Sequence, residues 1–290
     1  MATKQEKTQD SNTAVAERPV QAVTMVEPDD YGADAGGGLE GATSDSYAVP
    51  FLSVLQKGSP QVDEASGVAI EGARAGMIFE SVTGRMHDGK KGVLIVPCAY
   101  RRVYLRWGAR GESGGGFKGE LSVDQVAIMR DKGEVKELEN KLYVPMPDGS
   151  INEKKSDRIS DTRNHYCLVV NEDGTWTTAL LSLTSTQIKK SKLLASMIAS
   201  RKVRTASGII QPASWASLVR LTSVPESNDK GSWYGVRFEF DGDLLRPDSD
   251  LYKAGREFNH LVAAGKVEAK YDDLDVSTDN VDGIAPAGKF

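Results

Sequence analysis

The sequence predicts a mainly β protein with a few helices, an OB-fold-like small barrel with insertions, flanked by disordered termini. Seven segments have strand character, because apolar residues alternate or run together between turn signals. Only three segments combine helical apolar spacing with capping residues. One of these helices precedes the final pair of strands, an order compatible with the OB-fold, whose strands and loops bind oligonucleotides.

The predicted strands follow one another at recognisable turns. The residues N-E-D-G at 171–174 are typical of a hairpin turn, and 225–231 join the last two strands in the same manner. The predicted strands are 77–82, 92–107, 141–144, 164–171, 175–183, 214–222 and 232–240.

Three predicted helices interrupt the strands. Ser122 and Gln125 form a capping-box pattern that opens a short helix fading by Gly133. The second helix covers about 185–200, and Ser249 or Asp250 caps the third. The residues expected to face the core are Leu193, Leu194, Met197 and Ile198 in the second helix and Leu251, Phe258, Leu261 and Val262 in the third.

Charge divides the chain into three parts. Residues 1–44 carry three basic and eight acidic residues, and 271–290 carry five aspartates and one lysine. Because the whole chain has a net charge of −5, residues 45–270 are left at +4. The sequence therefore predicts a disordered acidic segment at 1–46, an OB-like nucleic-acid-binding body at 47–267 and an acidic flexible tail at 268–290.

Composition restricts the class of protein. No apolar run is long enough to span a membrane, and the N-terminus lacks the apolar segment of a secretory signal. The chain has two cysteines, Cys98 and Cys167, which suits a reducing cytoplasm better than a disulfide scaffold. We therefore expect a protein of the cytoplasm with no membrane partner.

The segment 93–118 carries the strongest functional signal. Read with the strand period of two, it places Val93, Ile95, Ala99, Val103, Leu105 and Trp107 on a core face, with Arg101 as an exception. The opposite face alternates aromatic rings and guanidinium groups, in the order Tyr100, Arg102, Tyr104 and Arg106. Rings that stack on bases beside cations that hold phosphates are typical of single-stranded nucleic-acid binding. The alternative is an exposed strand face that carries Tyr and Arg for β-propensity and cross-strand pairing.

The loop at 108–119 follows this strand and carries Arg110, Phe117 and Lys118. Gly111 and Gly116 have P-loop spacing, but the next residues are Phe-Lys-Gly where Lys and then Ser or Thr are required. This excludes a nucleotide-hydrolysis loop and leaves a basic flap over a bound strand, or a hairpin loop whose glycines only supply positive φ.

Further cations lie on and after the second helix. Six fall within sixteen residues with no acidic residue among them: Lys189, Lys190, Lys192, Arg201, Lys202 and Arg204. They are candidates for phosphate contacts, although a solvated helix face explains them about as well. Trp233 and Arg237 share one face of the last strand and would extend the binding surface.

No catalytic, metal or cofactor motif is found. His165 and Cys167 share a strand face, but zinc sites normally show two closely spaced pairs of ligands. The three histidines lie near no Ser or Cys motif of a catalytic triad. We therefore expect a protein that is not an enzyme.

The sequence resembles the single-stranded DNA-binding proteins of tailed bacteriophages. The resemblance lies in the segments 50–60, 76–84, 96–107, 114–117 and 233–238, which together span most of the body. It implies an OB-fold core, sequence-tolerant binding of single-stranded DNA, and an acidic C-terminal tail that recruits replication or recombination proteins. The tail residues would be Asp272, Asp273, Asp275 and Phe290, although 283–289 contain no acidic residue, which departs from the family pattern.

The resulting hypothesis is a non-enzymatic phage protein that binds single-stranded DNA during replication or recombination. The alternatives are a phage structural or host-interaction protein that uses the Tyr/Arg face as a protein interface, and a nuclease without recognisable motifs. The sequence leaves open whether the body forms a homodimer and whether it prefers DNA or RNA.

Overall fold

A computed structural model describes residues 37–38, 49–109, 116–229, 231–267 and 269–271. The chain separates into two units, 1–40 and 41–290, and the first contains only Gly37 and Gly38, which lie in a turn, among its described residues. Apart from Gly37 and Gly38, the predicted disordered segment at 1–46 thus falls outside the described residues, as does most of the tail at 268–290. Ala269 and Tyr271 pack against the core, so the body continues to Tyr271 instead of ending at 267.

The body is mainly β, as predicted. Its strands are β1 Leu52–Val54, β2 Ile78–Glu80, β3 Met86–His87, β4 Val93–Gly108, β5 Gly116–Leu121, β6 Lys136–Leu138, β7 Lys141–Tyr143, β8 Arg158–Val170, β9 Trp176–Thr184, β10 Val203–Thr205, β11 Gly208–Ile210, β12 Ser217–Asn228 and β13 Gly231–Leu244. Its α-helices are α1 Val123–Asp131, α2 Ile188–Ser200 and α3 Asp250–Ala263. The pairings among the described residues form open sheets of eight, three and two strands.

The long antiparallel pair β4–β8 forms the centre of the eight-stranded sheet. It runs from the pair Leu94–Val170 to the pair Trp107–Arg158. Near the first pair, β12 joins β4 and β9 joins β8. Near the other end, β5 joins β4 and β7 joins β8. The sheet therefore has two ends that share the same two long strands.

A β-bulge at Cys98 changes which residues of β4 face which side. The register with β8 shifts between Pro97 and Ala99, so the alternation of side chains reverses there. The predicted grouping of Val93 and Ile95 with Val103 is consequently wrong, since they belong to different core clusters on opposite faces. We call the side that carries Ile95, Tyr100 and Arg102 the front face, and the other side the back face.

The two faces are covered by different helices. On the front face, α2 inserts Leu194 into a cluster with Ile95 and Cys167, and α1 inserts Val126 into a cluster with Tyr104. On the back face, α3 contributes residues such as Phe258 to the second large cluster. The middle of the front face lies between α1 and α2.

The structure confirms the predicted helix caps, but two residues that were predicted to face the core are exposed. Ser122 and Gln125 form the reciprocal capping box of α1, and Ser249 caps α3 by accepting a hydrogen bond from the Tyr252 amide. Leu193 and Leu261 are exposed, contrary to prediction, because each lies at the margin of its helix's apolar stripe.

Candidate nucleic-acid interface

Polar and charged side chains from three strands and one connection meet in the middle and lower half of the front face. We call this group the basic strip. Its members are Tyr100, Arg102, Tyr104 and Arg106 of β4, Lys118 of β5, Asp161 and Arg163 of β8, and Asp157 immediately before β8.

Asp161 pairs with the cations of one half of the strip, which contains Tyr100, Arg102 and Arg163 and which we call the upper half. Arg102 donates to its two carboxylate oxygens from Nε at 3.1 Å and Nη2 at 2.8 Å. Arg163, which lies opposite Arg102 on β8, donates from Nη2 at 3.0 Å and uses Nη1 to reach the Tyr100 hydroxyl at 2.9 Å. One carboxylate is thus shared between two guanidinium groups, which leaves a net positive charge.

Asp157 has the same role in the lower half. Arg106 approaches one carboxylate oxygen at 2.6 Å, and Lys118 donates to the other at 2.8 Å. Partial burial raises the pKa of Asp157, but the hydrogen bonds from Lys118 and Arg106 outweigh this effect and hold the pKa below its ordinary value. The carboxylate is therefore ionised at neutral pH, and this half also carries one excess positive charge.

The two tyrosines of the strip differ in exposure. Tyr100 is 49% exposed, and its ring lies against His165 with 5.3 Å between the ring centroids. Tyr104 is 7% exposed and packs against Val126 and Leu142 beneath α1. The prediction that both rings lie on an open face is wrong for Tyr104, because α1 covers it.

Arg102 covers the remaining edge of Tyr104. Its guanidinium carbon lies 5.3 Å from the Tyr104 ring centroid, and its Nη2 donates to the Tyr104 hydroxyl at 2.8 Å. Tyr104 therefore positions Arg102 and is not itself a surface for base stacking.

Phe117 belongs to the back face instead of the strip. Its ring centroid lies 5.6 Å from that of Trp107 and 5.1 Å from that of Tyr271. Lys118, the next residue of β5, lies on the opposite face by strand alternation and reaches Asp157. The predicted position of Phe117 over a bound strand is therefore wrong, and Arg110 lies outside the described residues.

His165 is the cross-strand neighbour of Tyr100 on β8 and packs beside it on the front face. Its Nε2 is 2.7 Å from the Ser191 hydroxyl of α2, and the residue is 4% exposed. Burial, with a smaller contribution from the nearby Arg163 charge, lowers the pKa of His165 to about 4. The imidazole is therefore neutral at pH 7 and adds no charge to the strip.

Two of the other predicted cation and ring positions meet at Glu226. Lys190 of α2 forms an ion pair with Glu226 at 2.7 Å, and Trp233 donates to it from Nε1 at 2.9 Å. Gln187 donates to the same carboxylate at 3.0 Å. Partial burial raises the pKa of Glu226, but these hydrogen bonds and Lys190 bring it below the ordinary value. Lys190 and Trp233 thus stabilise the junction of α2 with the β12–β13 hairpin.

The remaining predicted cations are dispersed. The guanidinium carbon of Arg201 lies 3.7 Å from the Phe240 ring centroid, and its Nη2 donates to the Gly242 carbonyl. Lys202 donates from Nζ to the Ala199 carbonyl at the end of α2. The other exposed cations are Lys189, Lys192, Arg204 and Arg237. The tail residues Asp272, Asp273, Asp275 and Phe290 lie outside the described residues.

Three charged members of the strip were missed by sequence reasoning. Asp157, Asp161 and Arg163 precede the predicted start of the strand at 164, whereas β8 begins at Arg158. The signal was present, because Asp161, Arg163 and His165 alternate with Thr162 and Asn164 in the period of a strand. The predicted strand at 164–171 leaves both Asp161 and Arg163 outside it.

The described residues contain no helix with both the length and the apolar content that a membrane crossing requires. They also contain no group of three or more His, Cys, Asp or Glu side chains positioned to hold a metal ion.

Comparison with known proteins gives one match. The model of a family described as Pam3 phage gp34-like protein matches residues 19–268. No curated protein and no solved structure matches the chain.

Proposed function

The chain belongs to the Pam3 phage gp34-like protein family and is thus a phage protein, and we propose that it binds single-stranded DNA without sequence preference. In this proposal it acts during phage DNA replication or recombination in the host cytoplasm and catalyses no reaction. The observation that carries the proposal is the basic strip, in which an exposed aromatic ring lies beside four cations on one open face of a sheet.

Each side chain of the strip has a distinct role in this proposal. Tyr100 stacks on a base, because its ring is half exposed and is held on one side by the buried His165. Arg102, Arg106 and Lys118 contact phosphates, and Arg163 orients Tyr100 through its hydroxyl. Contacts of these kinds read the backbone and the π-face of a base, which explains tolerance of sequence.

The exposed cations outside the strip add weaker, unspecific attraction. Lys189, Lys192 and Arg204 are exposed and lie on α2 or the β10–β11 hairpin that follows it. Exposed charges act over about 8 Å at physiological ionic strength. Their contribution therefore falls quickly as salt is added.

A fluorescence titration with oligo-dT at two salt concentrations tests the proposal. Each phosphate neutralised on a single strand contributes a slope of about −0.7 to log K against log[salt]. We expect binding with a slope of about −1.5 to −3, equivalent to two to four phosphates at the strip. Absent binding, or binding that salt does not weaken, contradicts the proposal.

A protein interface is a second candidate function for the same strip. It is supported by the two carboxylates, since a surface that contains both Asp157 and Asp161 has a lower net charge than most nucleic-acid sites. Tyr and Arg are also the residues that contribute most to protein–protein binding. A gel shift with labelled single-stranded DNA separates the two functions, because only the first produces a shifted band.

Two accompanying proposals concern partners. The acidic tail docks replication or recombination proteins, as the sequence resemblance implies, and the body forms a homodimer. Binding of a tail peptide and sedimentation of the whole protein test them separately.

A further inference from the structure

Every cation of the basic strip is held by a carboxylate that it shares with a second cation. Asp161 joins Arg102 to Arg163, and Asp157 joins Arg106 to Lys118. Carboxylate and phosphate groups accept hydrogen bonds from guanidinium groups in the same planar, two-pronged arrangement. We propose that Asp157 and Asp161 occupy two phosphate subsites, and that backbone phosphodiesters of single-stranded DNA displace them on binding. This inference rests on the proposed function. It adds where the phosphates bind and which carboxylates of the protein compete with them.

The two subsites lie in line along the sheet. Asp157 and Asp161 are four residues apart on the same side of one extended segment, which corresponds to about 13 Å. Arg102 and Arg106 have the same separation on the neighbouring strand β4. A single strand of DNA that follows β4 therefore meets both pairs of cations in succession, with Tyr100 beyond the Asp161 subsite.

The present hydrogen bonds leave the upper subsite incompletely satisfied. The Nε of Arg163 is buried and has no hydrogen-bond partner among the described residues, although its two terminal nitrogens are both used. An unsatisfied buried donor is unfavourable. A phosphate that replaces Asp161 brings further acceptor oxygens to Arg163, while its Nη1 keeps the hydrogen bond to the Tyr100 hydroxyl, which favours the exchange.

The exchange is feasible because the ion pairs are partly exposed. The side chains of Arg102 and Arg106 are each 36% exposed and that of Lys118 is 39% exposed, whereas Asp161 is 24% exposed and Asp157 and Arg163 are 12% exposed. The more exposed cations can turn towards a phosphate, and ion pairs that solvent reaches are weakened by salt. A polyanion presents several phosphates at once and releases bound counterions, which a single fixed carboxylate does not.

Charge-neutralising variants of the two carboxylates test the inference. Asp161→Asn and Asp157→Asn remove one competitor each while keeping the size of the side chain. Asp241→Asn is the matched control, because Asp241 pairs with Arg220 at 2.7 Å away from the strip and its loss changes the net charge equally. Affinity for oligo-dT is measured for the full-length proteins at two salt concentrations, with thermal unfolding as a check of folding.

We expect each strip variant to bind oligo-dT roughly fivefold more tightly at low salt, because the same phosphates are bound without an internal competitor to displace. The control should change affinity less than twofold. If the strip variants bind no more tightly than Asp241→Asn, the inference is wrong. The proposed function still stands in that case, provided that the wild-type protein binds oligo-dT. Absent wild-type binding overturns the proposed function instead. If Asp161→Asn does not fold, Asp157→Asn decides the outcome alone.

A parallel titration with inorganic phosphate distinguishes a site for the linked phosphodiesters of DNA from a site for single phosphate groups. A phosphodiester site requires several linked phosphates, so inorganic phosphate should compete with oligo-dT only weakly, in the variants as in the wild type. If inorganic phosphate binds Asp161→Asn as tightly as the oligonucleotide does, the subsite is a site for single phosphate groups and the inference is wrong.

Discussion

At the scale of single residues, Tyr100 and Tyr104 lie on one strand and one face but differ in what covers them. The ring of Tyr100 lies beyond the edge of α2 and is half exposed, whereas α1 buries the ring of Tyr104. Sequence alternation predicts the shared face but not the cover, because the cover comes from helices that are distant in sequence. Substitutions at the two positions should therefore have different consequences.

We predict that Tyr100→Ala weakens oligo-dT binding by about 1–3 kcal/mol, the range for one stacked base, and leaves stability nearly unchanged. Tyr100→Phe keeps the ring and should retain most of the affinity. Trp176→Ala removes another exposed ring, on β9, and is the control that should bind normally. Equal losses for Tyr100→Ala and Trp176→Ala in the titration contradict a stacking role for Tyr100.

Tyr104→Ala should instead act on stability. It removes a buried aromatic side chain from the cluster beneath α1 and should lower the free energy of unfolding by about 3–5 kcal/mol. Urea denaturation measures this loss. Tyr104→Phe retains the packing, so a large loss in that variant would contradict packing as the main contribution.

His165 predicts a pH dependence of stability. Its pKa is about 4 in the folded protein and about 6.5 when unfolded, so the unfolded chain binds the proton more readily. Stability is then complete above pH 6.5 and falls as the pH decreases towards 4. The loss between pH 7 and pH 5 should be about 2 kcal/mol by urea denaturation.

His165→Gln should flatten the pH profile between pH 7 and pH 5. His260→Gln, at an exposed position of α3, is the control and should leave the profile unchanged. A profile that His165→Gln does not alter would contradict this role of His165. Burial raises the pKa of Glu80, but the hydrogen bond and charge of His87 lower it below its ordinary value, so the contribution of Glu80 to stability is lost mainly below about pH 5.

At the scale of the elements, the outer edge of β13 is protected by side chains. Gln56 pairs with both backbone groups of Tyr234, donating to its carbonyl and accepting from its amide. Gln187 accepts from the Val236 amide, and Arg201 donates to the Gly242 carbonyl further along. These contacts occupy hydrogen-bonding groups that would otherwise attract another strand.

We predict that Gln187→Ala lowers the free energy of unfolding by about 1–3 kcal/mol. The substitution leaves the buried Val236 amide without its acceptor and removes one hydrogen-bond donor to Glu226. It should also increase aggregation, since part of the β13 edge becomes free. Lys189→Ala, an exposed residue two positions later, is the control and should stay within 0.5 kcal/mol. Denaturation and light scattering measure the two effects.

Local elements were predictable where local chemistry determines them. The capping box at Ser122, the cap at Ser249 and the hairpin turn at 171–174 were all read from neighbouring residues, and all three are confirmed. The partners of Arg102 and Arg106 were not predictable, because they depend on which strand lies beside β4. Nothing in 93–118 states that Asp161 and Arg163 will lie opposite, since long-range pairing is not encoded in spacing along one strand.

At the scale of the whole molecule, the last described residue connects separate parts of the sheet. Tyr271 is 2% exposed, packs against Phe51 and Phe117, and accepts a hydrogen bond from Asn164 at 2.5 Å. Asn164 in turn accepts one from Ser182 of β9. The C-terminal end of the body is thus held to β5, β8 and β9 together.

Two shortened chains test this attachment. A chain that ends after Leu274 keeps Tyr271 and should unfold like the full-length protein. A chain that ends after Glu268 loses the buried ring and should be less stable by about 3–5 kcal/mol. Equal stability of the two chains in thermal or urea unfolding would show that the contacts of Tyr271 contribute little.

The bulge at Cys98 makes the amphipathic character of β4 depend on a single backbone position. Deletion of that one residue would remove the extra position and leave strict alternation, with Arg102 and Arg106 still on the front face. Insertion of a further residue there would instead reverse every later side chain of the strand, so that Arg102 and Arg106 would point into the apolar layer beneath α3. A one-codon insertion, without any change of charge or composition elsewhere, would therefore turn the molecule's cationic side inwards, so insertions at this position should be selected against far more strongly than deletions or changes of residue type.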